Sequence, residues 1–373
     1  MAREVVRAPE LARTGVEHDG QDMADRKVDT PQRERDVAFM RRALELAACG
    51  PVADPNPRVG AVILDALGLV VGEGFHEGAG TPHAEVVALR QAGSAARAGT
   101  AVVTLEPCAH TGLTGPCTRA LIDAGVARVV FAQSDPNPSA RGGMALLEAA
   151  GIRTTAGVLE RESTALNNAW TFSIMHGRPK VTWKFAATLD GRSAAADGSS
   201  RWITGPEARA DVHRLRSQCD AILVGTGTVV ADDPTLTVRG RDGAAFGRQP
   251  LRVVMGLRPI SASARVMDLT APTLQLPTHD PVEALKALQE REIHHVWLEG
   301  GPTVAAAFVV GGLVDEVIAY LAPALLGSGE SALGDLGIKT IGEALRLTPH
   351  EVTTIGPDIR IRATISTPNP EGH

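Results

Sequence analysis

The sequence predicts an α/β protein built from two different domains, and three observations support this prediction. The chain has 373 residues, a usual length for two domains. Short apolar runs alternate with segments of helical periodicity in both halves, which is typical of helices layered on a sheet. The two halves share no internal period, so we expect two unrelated domains and not a repeat.

Composition and charge exclude several classes of protein. Hydrophobic residues make up 44% of the chain and charged residues 21%, so each half has enough apolar side chains for a core. A net charge of −6 and a total of 7 Phe, 4 Trp and 1 Tyr argue against a nucleic-acid partner. There is no apolar run long enough for a membrane span or a signal peptide, and 4 cysteines are too few for a disulfide scaffold. We therefore expect a cytoplasmic protein without a membrane partner.

The first half is predicted to be a terminal extension followed by a layered α/β domain. Residues 1–34 are polar and aperiodic, and we predict that they are disordered. Apolar side chains at helical spacing then predict a first helix that stops near Gly50-Pro51, and two apolar runs split by Gly68 predict a hairpin. In order, we predict a helix over 37–47, strands over 59–64 and 69–75, a helix over 83–96, a strand over 101–105, a helix over 118–124, a strand over 126–132, a helix over 144–150 and a short strand near 152.

A second α/β series follows a helical connector at 160–176. Its predicted strands cover 181–187, 221–224, 251–255, 296–298 and 316–321, and its predicted helices cover 206–218, 282–290 and 304–310. We expect one domain over 35–157, the connector over 158–178 and the second domain over 179–367.

The first half carries a pattern typical of a catalytic zinc site. His83, Cys108 and Cys117 supply three ligands of the types that zinc prefers and leave a fourth position for water. Glu85 lies two residues after His83 at the expected start of a helix, near the metal but not needed as a ligand. The order His-x-Glu, Pro-Cys, Cys is characteristic of zinc nucleobase deaminases, in which the glutamate moves protons.

An alternative is a closed structural zinc site. His110 would then be the fourth ligand, which leaves Glu85 without a role. Cys49 and Cys219 lie outside the pattern, and we interpret them as core residues.

Spacing and further motifs point to a family. Eight residues separate Cys108 from Cys117, whereas generic deaminases of this type have two. With this spacing the sequence resembles the bifunctional riboflavin-biosynthesis deaminase–reductase family, from about residue 36 to 365. The motifs that carry the resemblance in this half are Pro55-Asn56-Pro57-x-Val59-Gly60, Gly74-Phe75-His76, His83-Ala84-Glu85-Val86, Glu106-Pro107-Cys108-x-His110 and Asp135-Pro136-Asn137-Pro138.

The resemblance implies a cytidine-deaminase-like three-layer α/β/α domain that acts on 2,5-diamino-6-ribosylamino-4(3H)-pyrimidinone 5′-phosphate. Zinc-activated water would remove the exocyclic 2-amino group, with Glu85 moving the protons. Asn56 would bind the pyrimidine, and His76 and His110 the ribose phosphate. Asn56 between two prolines is alternatively a turn residue. One departure is Leu113, where the family usually has a basic residue suited to a phosphate.

Taken alone, the second half offers glycine-rich turns only. Gly225-Thr226-Gly227-Thr228 follows a predicted strand but lacks the third glycine of a dinucleotide fingerprint. Glu299-Gly300-Gly301-Pro302-Thr303 joins a strand to a helix, whose exposed N–H groups suit a phosphate. The adjacent His294 and His295 would face opposite sides of a strand and do not make a metal pair.

The resemblance continues here and implies a dihydrofolate-reductase-like α/β domain that uses NADPH to reduce the ribosyl group of 5-amino-6-(5-phosphoribosylamino)uracil to ribityl. It rests on Lys184, Leu189-Asp190-Gly191-Arg192, Ser200-x-Trp202-Ile203-Thr204, Gly225-Thr226-Gly227-Thr228, Asp232-Asp233-Pro234 and Glu299-Gly300-Gly301-Pro302-Thr303. The cofactor would contact Ala186, Trp202, Thr228, Asp232, Gly301, Pro302, Thr303, Val304, Ala305, Ala306 and Ala307. The substrate would contact Lys184, Ser200, Arg216, Leu236, Arg239 and Glu299, with the two arginines available for its phosphate. Met255-Gly256-Leu257 departs from the family, which tends to have Asp followed by Ser or Thr.

The sequence thus predicts a bifunctional enzyme with Zn²⁺ and NADPH as cofactors and small pyrimidine ribose phosphates as partners, and we expect a homo-oligomer. One alternative is a deaminase of nucleic acid or free nucleosides, which the charge and the cysteine spacing disfavour. The other is a deaminase whose C-terminal half is a non-catalytic binding or oligomerisation module, which the departure at 255–257 keeps open.

Overall fold

The computed structural model describes residues 30–110, 115–240 and 242–365. The first helix begins at Thr30, so residues 30–34 are helical, and the rest of the expected disordered extension lies outside the described residues. Within the described ranges, no helix has the length and apolar character needed to cross a membrane.

The first domain is a five-stranded mixed sheet between two layers of helices. Its elements are α1 (Thr30–Ala47), β1 (Gly60–Leu64), β2 (Val70–Phe75), α2 (Ala84–Ala92), β3 (Thr100–Leu105), α3 (Cys117–Ala124), β4 (Arg128–Gln133), α4 (Gly143–Ala149) and β5 (Arg153–Thr155). The strand order is β2-β1-β3-β4-β5, with β1 antiparallel to both neighbours and β3, β4 and β5 parallel. This is the expected three-layer arrangement.

Alternation of side chains along the strands creates the two cores of this domain. Val62, Val102 and Val130 pack with Met40 and Ala43 of α1 on one face. The opposite face packs against the other helices through Ala61, Ile63, Ala84, Ala88, Val103, Leu121, Phe131 and Leu147. The ends of β3 and β4 therefore lie between helix layers, where a pocket can form.

Two short helices, α5 (Glu160–Leu166) and α6 (Asn168–His176), connect the domains where one helical segment was predicted. The second domain follows as β6 (Lys180–Thr188), α7 (Pro206–Arg216), β7 (Ala221–Gly225), α8 (Thr226–Asp232), β8 (Leu251–Met255), β9 (Thr273–Leu276), α9 (Pro281–Gln289), β10 (His295–Leu298), α10 (Pro302–Val310), β11 (Glu316–Ala322), β12 (Leu347–Ile355) and β13 (Asp358–Ile365).

These strands form one eight-stranded sheet in the order β12-β13-β11-β6-β10-β7-β8-β9. The six strands from β11 to β9 are parallel, so their carboxyl ends share one edge, and β13 runs in the opposite direction and pairs antiparallel with both β11 and β12. One face packs on Leu285 and Phe308 of α9 and α10, and the other on Val212 of α7. The predicted second α/β domain is confirmed.

Four elements were not predicted from sequence: α8, β9, β12 and β13. Helix α8 begins with Thr-Gly-Thr, which has low helix propensity, and the sequence predicts a glycine-rich turn there. Strand β9 has only four residues at the sheet edge. Most side chains of β12 are exposed, so it shows no clean apolar alternation, whereas β13 alternates isoleucine with Arg360 and Arg362 and has a period-two signal that the predicted elements do not include.

Gly60 provides a test of how closely α1 approaches the sheet. A Cβ atom at this position would lie 2.0 Å from the carbonyl oxygen of Ala43. We expect Gly60→Ala to lower the free energy of unfolding by about 3 kcal/mol, because the helix must move away from β1. Gly342→Ala is the control, since its Cβ would meet nothing closer than 3.9 Å. Equal stability of both variants in chemical denaturation would contradict the close helix–strand contact.

Candidate active sites

His83, Cys108 and Cys117 converge as the sequence predicts. Their ligand atoms all lie within 4.8 Å of one another, with His83 Nδ1 3.1 Å from Cys117 Sγ and 3.7 Å from Cys108 Sγ. His83 immediately precedes α2, Cys108 follows β3, and Cys117 is the first residue of α3. No other group of His, Cys, Asp and Glu side chains in the described ranges has a comparable arrangement.

The donor set fits zinc. The Cys117 backbone N–H donates to Cys108 Sγ at 3.3 Å, and hydrogen bonds from Cys117 hold the pKa of the Cys108 thiol well below its ordinary value. One imidazole and two sulfurs leave a fourth position of a tetrahedral site open. His110 is exposed at the rim of the adjacent cavity and is not part of the convergent group, which argues against the closed structural site.

Glu85 is buried beside the metal ligands without being one of them. Its side chain is 4% exposed in the first turn of α2, and burial raises the pKa of its carboxyl group. Cys117 hydrogen-bonds to the carboxylate. A carboxyl group that binds a proton more readily than usual is suited to proton transfer.

His83, Glu85 and Cys108 line one cavity of about 340 Å³. All three residues expected to bind the substrate of this half line it, namely Asn56, His76 and His110. Sequence analysis missed several other lining residues, which are Asp135, Asn137, Trp170, Ile174, Gln289, Glu292 and His294. Asp135 and Asn137 belong to a motif that had been given no role, and the last five lie outside the first domain.

His76 and Asn56 form a hydrogen-bonded pair with defined polarity. Burial lowers the pKa of His76, so the neutral ring is favoured. Its Nδ1 lies 3.2 Å from the Pro82 carbonyl, which can only accept, so Nδ1 carries the proton. Nε2 then accepts from Asn56 Nδ2 at 3.1 Å. The Asn56 side chain is thereby oriented, with its Oδ1 atom left as an acceptor.

Glu106 holds the backbone around Cys108. Its carboxylate accepts hydrogen bonds from the backbone N–H groups of Asp135, Gly142 and Met144 at 3.0–3.3 Å. Burial raises the pKa of Asp135 to about 6, with a further contribution from nearby Glu106. The loop after β4 and the start of α4 are thus fixed to the segment that provides a metal ligand.

The second candidate site lies at the carboxyl edge of the eight-stranded sheet. Gly301 precedes α10, and its N–H donates to Thr228 Oγ1 of α8 at 3.1 Å. A Cβ atom at Gly225 or Gly300 would lie 2.7–2.9 Å from the Val304 side chain. Two strand–helix turns thus meet closely at the amino end of α10, whose backbone N–H groups suit the phosphates of a dinucleotide. The expected cofactor residues 301–307 therefore start at this edge.

Lys184, Arg216 and Glu299 form a charged cluster at the same edge. Leu298 pairs with Trp183, which brings Glu299 alongside Lys184. Burial alone would raise the pKa of Glu299, but Arg216 and Lys184 outweigh it and lower the pKa to about 2. Arg216 Nε donates to Glu299 Oε1 at 2.7 Å, and Nη1 donates to the Thr237 carbonyl at 3.2 Å. Much of the Arg216 guanidinium is therefore committed to protein partners.

Among the described residues, the Arg239 side chain has fewer hydrogen-bond partners than the Arg216 side chain. Its Nε is buried without a hydrogen-bond partner among the described residues, and its backbone N–H donates to His213 Nδ1 at 3.3 Å. Burial, followed by Arg216 and Arg239, lowers the pKa of His213 to about 4, which keeps the ring neutral and able to accept. Of the two arginines expected at the phosphate, Arg239 is the more available.

The other expected residues of this half differ in exposure. Trp202 is 69% exposed, with the Arg209 guanidinium 4.4 Å above its ring. Leu236 is buried, Asp232 is exposed, and Ala186 and Ser200 are half-buried. These contacts with cofactor or substrate stay predictions.

The structure gives a reason for one of the two departures. A Cβ atom at Gly256, which has a φ of +139°, would lie 2.6 Å from Thr226 Oγ1, so the backbone after β8 passes directly beside α8. A larger residue there would displace the start of that helix. Leu113, the other departure, lies outside the described residues.

Comparisons with known proteins match a different family to each half of the chain. The family described as "Cytidine and deoxycytidylate deaminase zinc-binding region" matches residues 33–133, and "RibD C-terminal domain" matches residues 179–361. A riboflavin biosynthesis protein RibD of Mycobacterium tuberculosis is 51% identical over 306 residues, which cover 82% of this chain and 90% of the relative. The solved structure of RibD from Acinetobacter baumannii has a TM-score of 0.83 at 38% identity, and the match covers 90% of this chain and 100% of that one. A diaminohydroxyphosphoribosylaminopyrimidine deaminase/5-amino-6-(5-phosphoribosylamino)uracil reductase from Thermotoga maritima has a TM-score of 0.80 at 33% identity, with coverage of 90% and 100%.

Zinc content tests the metal centre. We expect the purified chain to bind about one zinc ion, and Cys117→Ala to lose it, because two ligands do not hold the ion against dilution. Cys219→Ala is a matched control, since Cys219 is buried but lies in the other domain. Elemental analysis of both variants is the measurement, and full zinc retention by Cys117→Ala would contradict the assignment.

Proposed function

The chain belongs to the RibD family of bifunctional riboflavin-biosynthesis enzymes, and we propose the roles that its residues have in the two reactions. It combines a zinc-dependent deaminase domain with an NADPH-dependent reductase domain. No feature of the described residues favours a non-catalytic C-terminal module. The observation that carries the residue roles is the buried Glu85 beside the His83, Cys108 and Cys117 group, within a cavity that Asn56 and His76 also line.

We propose that the first domain removes the 2-amino group of 2,5-diamino-6-ribosylamino-4(3H)-pyrimidinone 5′-phosphate. His83, Cys108 and Cys117 would hold the zinc ion, which would lower the pKa of water and so make hydrolysis possible near neutral pH. Glu85 takes up the two protons of the attacking water one after the other on its carboxylate; it delivers the first to the ring nitrogen and the second to the amino group, which then leaves as ammonia. The raised pKa of its carboxyl group supports this role, because the proton must be held between the two transfers.

Asn56 recognises the pyrimidine through its side-chain oxygen. Since Nδ2 donates to His76, Oδ1 is the atom that faces the substrate as an acceptor, and it selects for a ring N–H or amino group. His110, exposed at the rim of the cavity, is placed for the ribose phosphate. The roles of Asn56, His76 and His110 follow the family motifs and are supported by their common cavity.

The second domain reduces the ribosyl group of the deaminated product to ribityl. NADPH supplies the hydride, and the protein's task is to bind and orient it. Residues 301–307 at the start of α10 and Thr228 of α8 would hold its phosphates, while Asp232, Ala186 and Trp202 would contact the rest of the dinucleotide.

Substrate in this domain would lie over the charged cluster. Lys184 and Glu299 face the sugar, with Ser200 and Leu236 beside it, and Arg239 binds the 5′-phosphate. Arg216 assists mainly by holding Glu299 ionised and in place, because their ion pair is 11% exposed on each side.

We further propose a cytoplasmic homo-oligomer that acts on small pyrimidine ribose phosphates and on neither nucleic acid nor membranes. All four cysteines are free of disulfide bonds, which is the state that a reducing compartment maintains and that thiolate ligands need. Ile341 and Val352 of the second domain are 81% and 64% exposed, which is consistent with a surface that a second copy would cover. The domain limits 35–157, 158–178 and 179–367 are part of the same proposal and agree with sheets that span 60–155 and 180–365.

Glu85→Gln tests the deaminase assignment. We expect kcat for deamination to fall by about 10³-fold, because the amide cannot take the proton, while zinc stays bound. The measurement is mass spectrometry of the diaminopyrimidine phosphate after incubation with enzyme, with and without NADPH. Wild type should give the deaminated ribosyl compound without NADPH and the ribityl compound with it.

The control for this variant is reduction of the deaminated substrate supplied directly, which Glu85→Gln should catalyse normally. Normal deamination by Glu85→Gln would remove its proton-transfer role. If wild-type enzyme with bound zinc made no product, the assigned substrate would be wrong.

Arg216→Ala tests the proposed function of Arg216. Without the guanidinium, burial dominates and the pKa of Glu299 rises from about 2 by about 1–3 units. Glu299 then becomes protonated as the pH falls, so the reductase kcat/KM should show an acid limb at a higher pH than in wild type. Deaminase activity serves as the internal control. If the reductase kcat/KM of the variant instead falls by the same factor at every pH, Arg216 only contacts substrate.

A further inference from the structure

The loop that carries Asn56 is held on one side by the connector helices. Asn167, between α5 and α6, accepts from the Arg58 backbone N–H and donates to the Arg58 carbonyl, both at 2.9 Å. The Arg58 side chain in turn donates to the Leu166 carbonyl. Residues 51–59 contain neither helix nor strand, so these contacts replace the support that regular structure would give.

The other side of the loop is held by the reductase domain. His294, just before β10, is 6% exposed, and its Nε2 lies 3.1 Å from the Pro55 carbonyl. A carbonyl only accepts, so Nε2 carries a proton and donates it. His294 Nδ1 lies 2.9 Å from Ser173 Oγ of α6, and Ser173 is 2.9 Å from Gln289 Oε1 at the end of α9.

His294 is held in place through backbone hydrogen bonds to the residue that precedes a neighbouring strand. Its backbone N–H and that of His295 both donate to Asp220 Oδ2, at 2.9 and 2.8 Å. Asp220 precedes β7, the strand next to β10. The ring is therefore attached to the edge of the large sheet and has no freedom to follow the loop.

The contact lies one residue from the substrate-binding side chain. Pro55 is adjacent to Asn56, whose N–H donates to Asp54 and whose Nδ2 donates to His76 at 3.1 Å. His294, Gln289 and Glu292 also line the deaminase cavity directly. Part of the lining of the deaminase cavity thus comes from the reductase domain.

We propose that His294 of the reductase domain is a positioning residue for the deaminase reaction, which it serves by holding the Pro55 carbonyl so that Asn56 faces the pyrimidine. The proposal rests on the role assigned to Asn56 above. It concerns substrate binding and not proton transfer, because His294 belongs neither to the metal ligands nor to the residues around Glu85. The effect therefore appears in KM.

His294→Ala in the full-length enzyme is the test. Loss of one buried hydrogen bond should raise the deaminase KM by roughly 5- to 20-fold and change kcat by less than about twofold. Reduction of the deaminated substrate supplied directly should stay within about twofold of wild type. His294→Gln, which keeps an N–H near the position of Nε2, should restore most of the KM.

Ser173→Ala is a milder second variant that removes the partner of Nδ1 together with the contact to Gln289, and it should raise the deaminase KM by about 2- to 3-fold. The matched control is His279→Ala, which removes an exposed histidine of the same domain and should change neither activity. The proposal is overturned if His294→Ala leaves the deaminase KM unchanged, if both activities fall together with the melting temperature, or if His294→Gln is as impaired as His294→Ala.

Asn56→Ala separates this proposal from the assignment on which it depends. If Asn56→Ala leaves the deaminase KM unchanged, the role of Asn56 is wrong. If Asn56→Ala raises the KM and His294→Ala does not, Asn56 binds substrate but His294 does not position it.

Discussion

The deaminase site depends on the close contact between helix α2 and the hairpin beneath it. Gly72 and Gly74 of β2 lack side chains, and a Cβ atom there would lie 2.1 and 2.6 Å from the carbonyl oxygens of Ala88 and Ala84. The helix backbone therefore rests on the strand backbone and cannot slide or tilt without collision. His83 and Glu85 lie at the start of this helix, so their positions follow from the contact. Helix α3 brings Cys117 to the same point, and its amino end is a favourable place for a thiolate.

The reductase domain uses backbone proximity in the same way at a different sheet edge. Gly225 and Gly300 lie against Val304, and Gly256 lies against Thr226, so three neighbouring strand ends meet with little side-chain volume between them.

The charge of a buried carboxyl group distinguishes the two sites. The deaminase cavity contains a buried carboxyl group whose pKa is raised, whereas Glu299 is kept ionised by Arg216 and Lys184. One site thus favours a group that exchanges a proton, and the other favours a fixed charge.

Much of this could be predicted from sequence because the signals are local. The metal ligands and Glu85 follow from residue type and spacing, and the parallel strands follow from short apolar runs. Helix α8 could not be predicted, because its stability comes from packing on the sheet and not from Thr226-Gly227-Thr228. Strand β13 alternates isoleucine with Arg360 and Arg362, a local signal, but its buried Arg360 and exposed Ile359 invert the usual burial, because the arginines pair with acids brought close only by folding. The pairing of Arg216 with Glu299, 83 residues apart, was hidden for the same reason.

The position of His294 shows a different limit of sequence reasoning. In the sequence, the adjacent His295 raises only the question of a metal pair. In the folded chain, His294 contacts Ser173 and Pro55 and lines the deaminase cavity. Glu299 follows the same strand, β10, so five residues of nearly extended backbone, about 16 Å, separate a wall of the first site from the charged cluster of the second. Because β10 lies between β6 and β7 in the sheet, it cannot shift at one end alone. The fusion of the two domains therefore does more than tether two enzymes: the fold of the reductase completes the surroundings of the deaminase site.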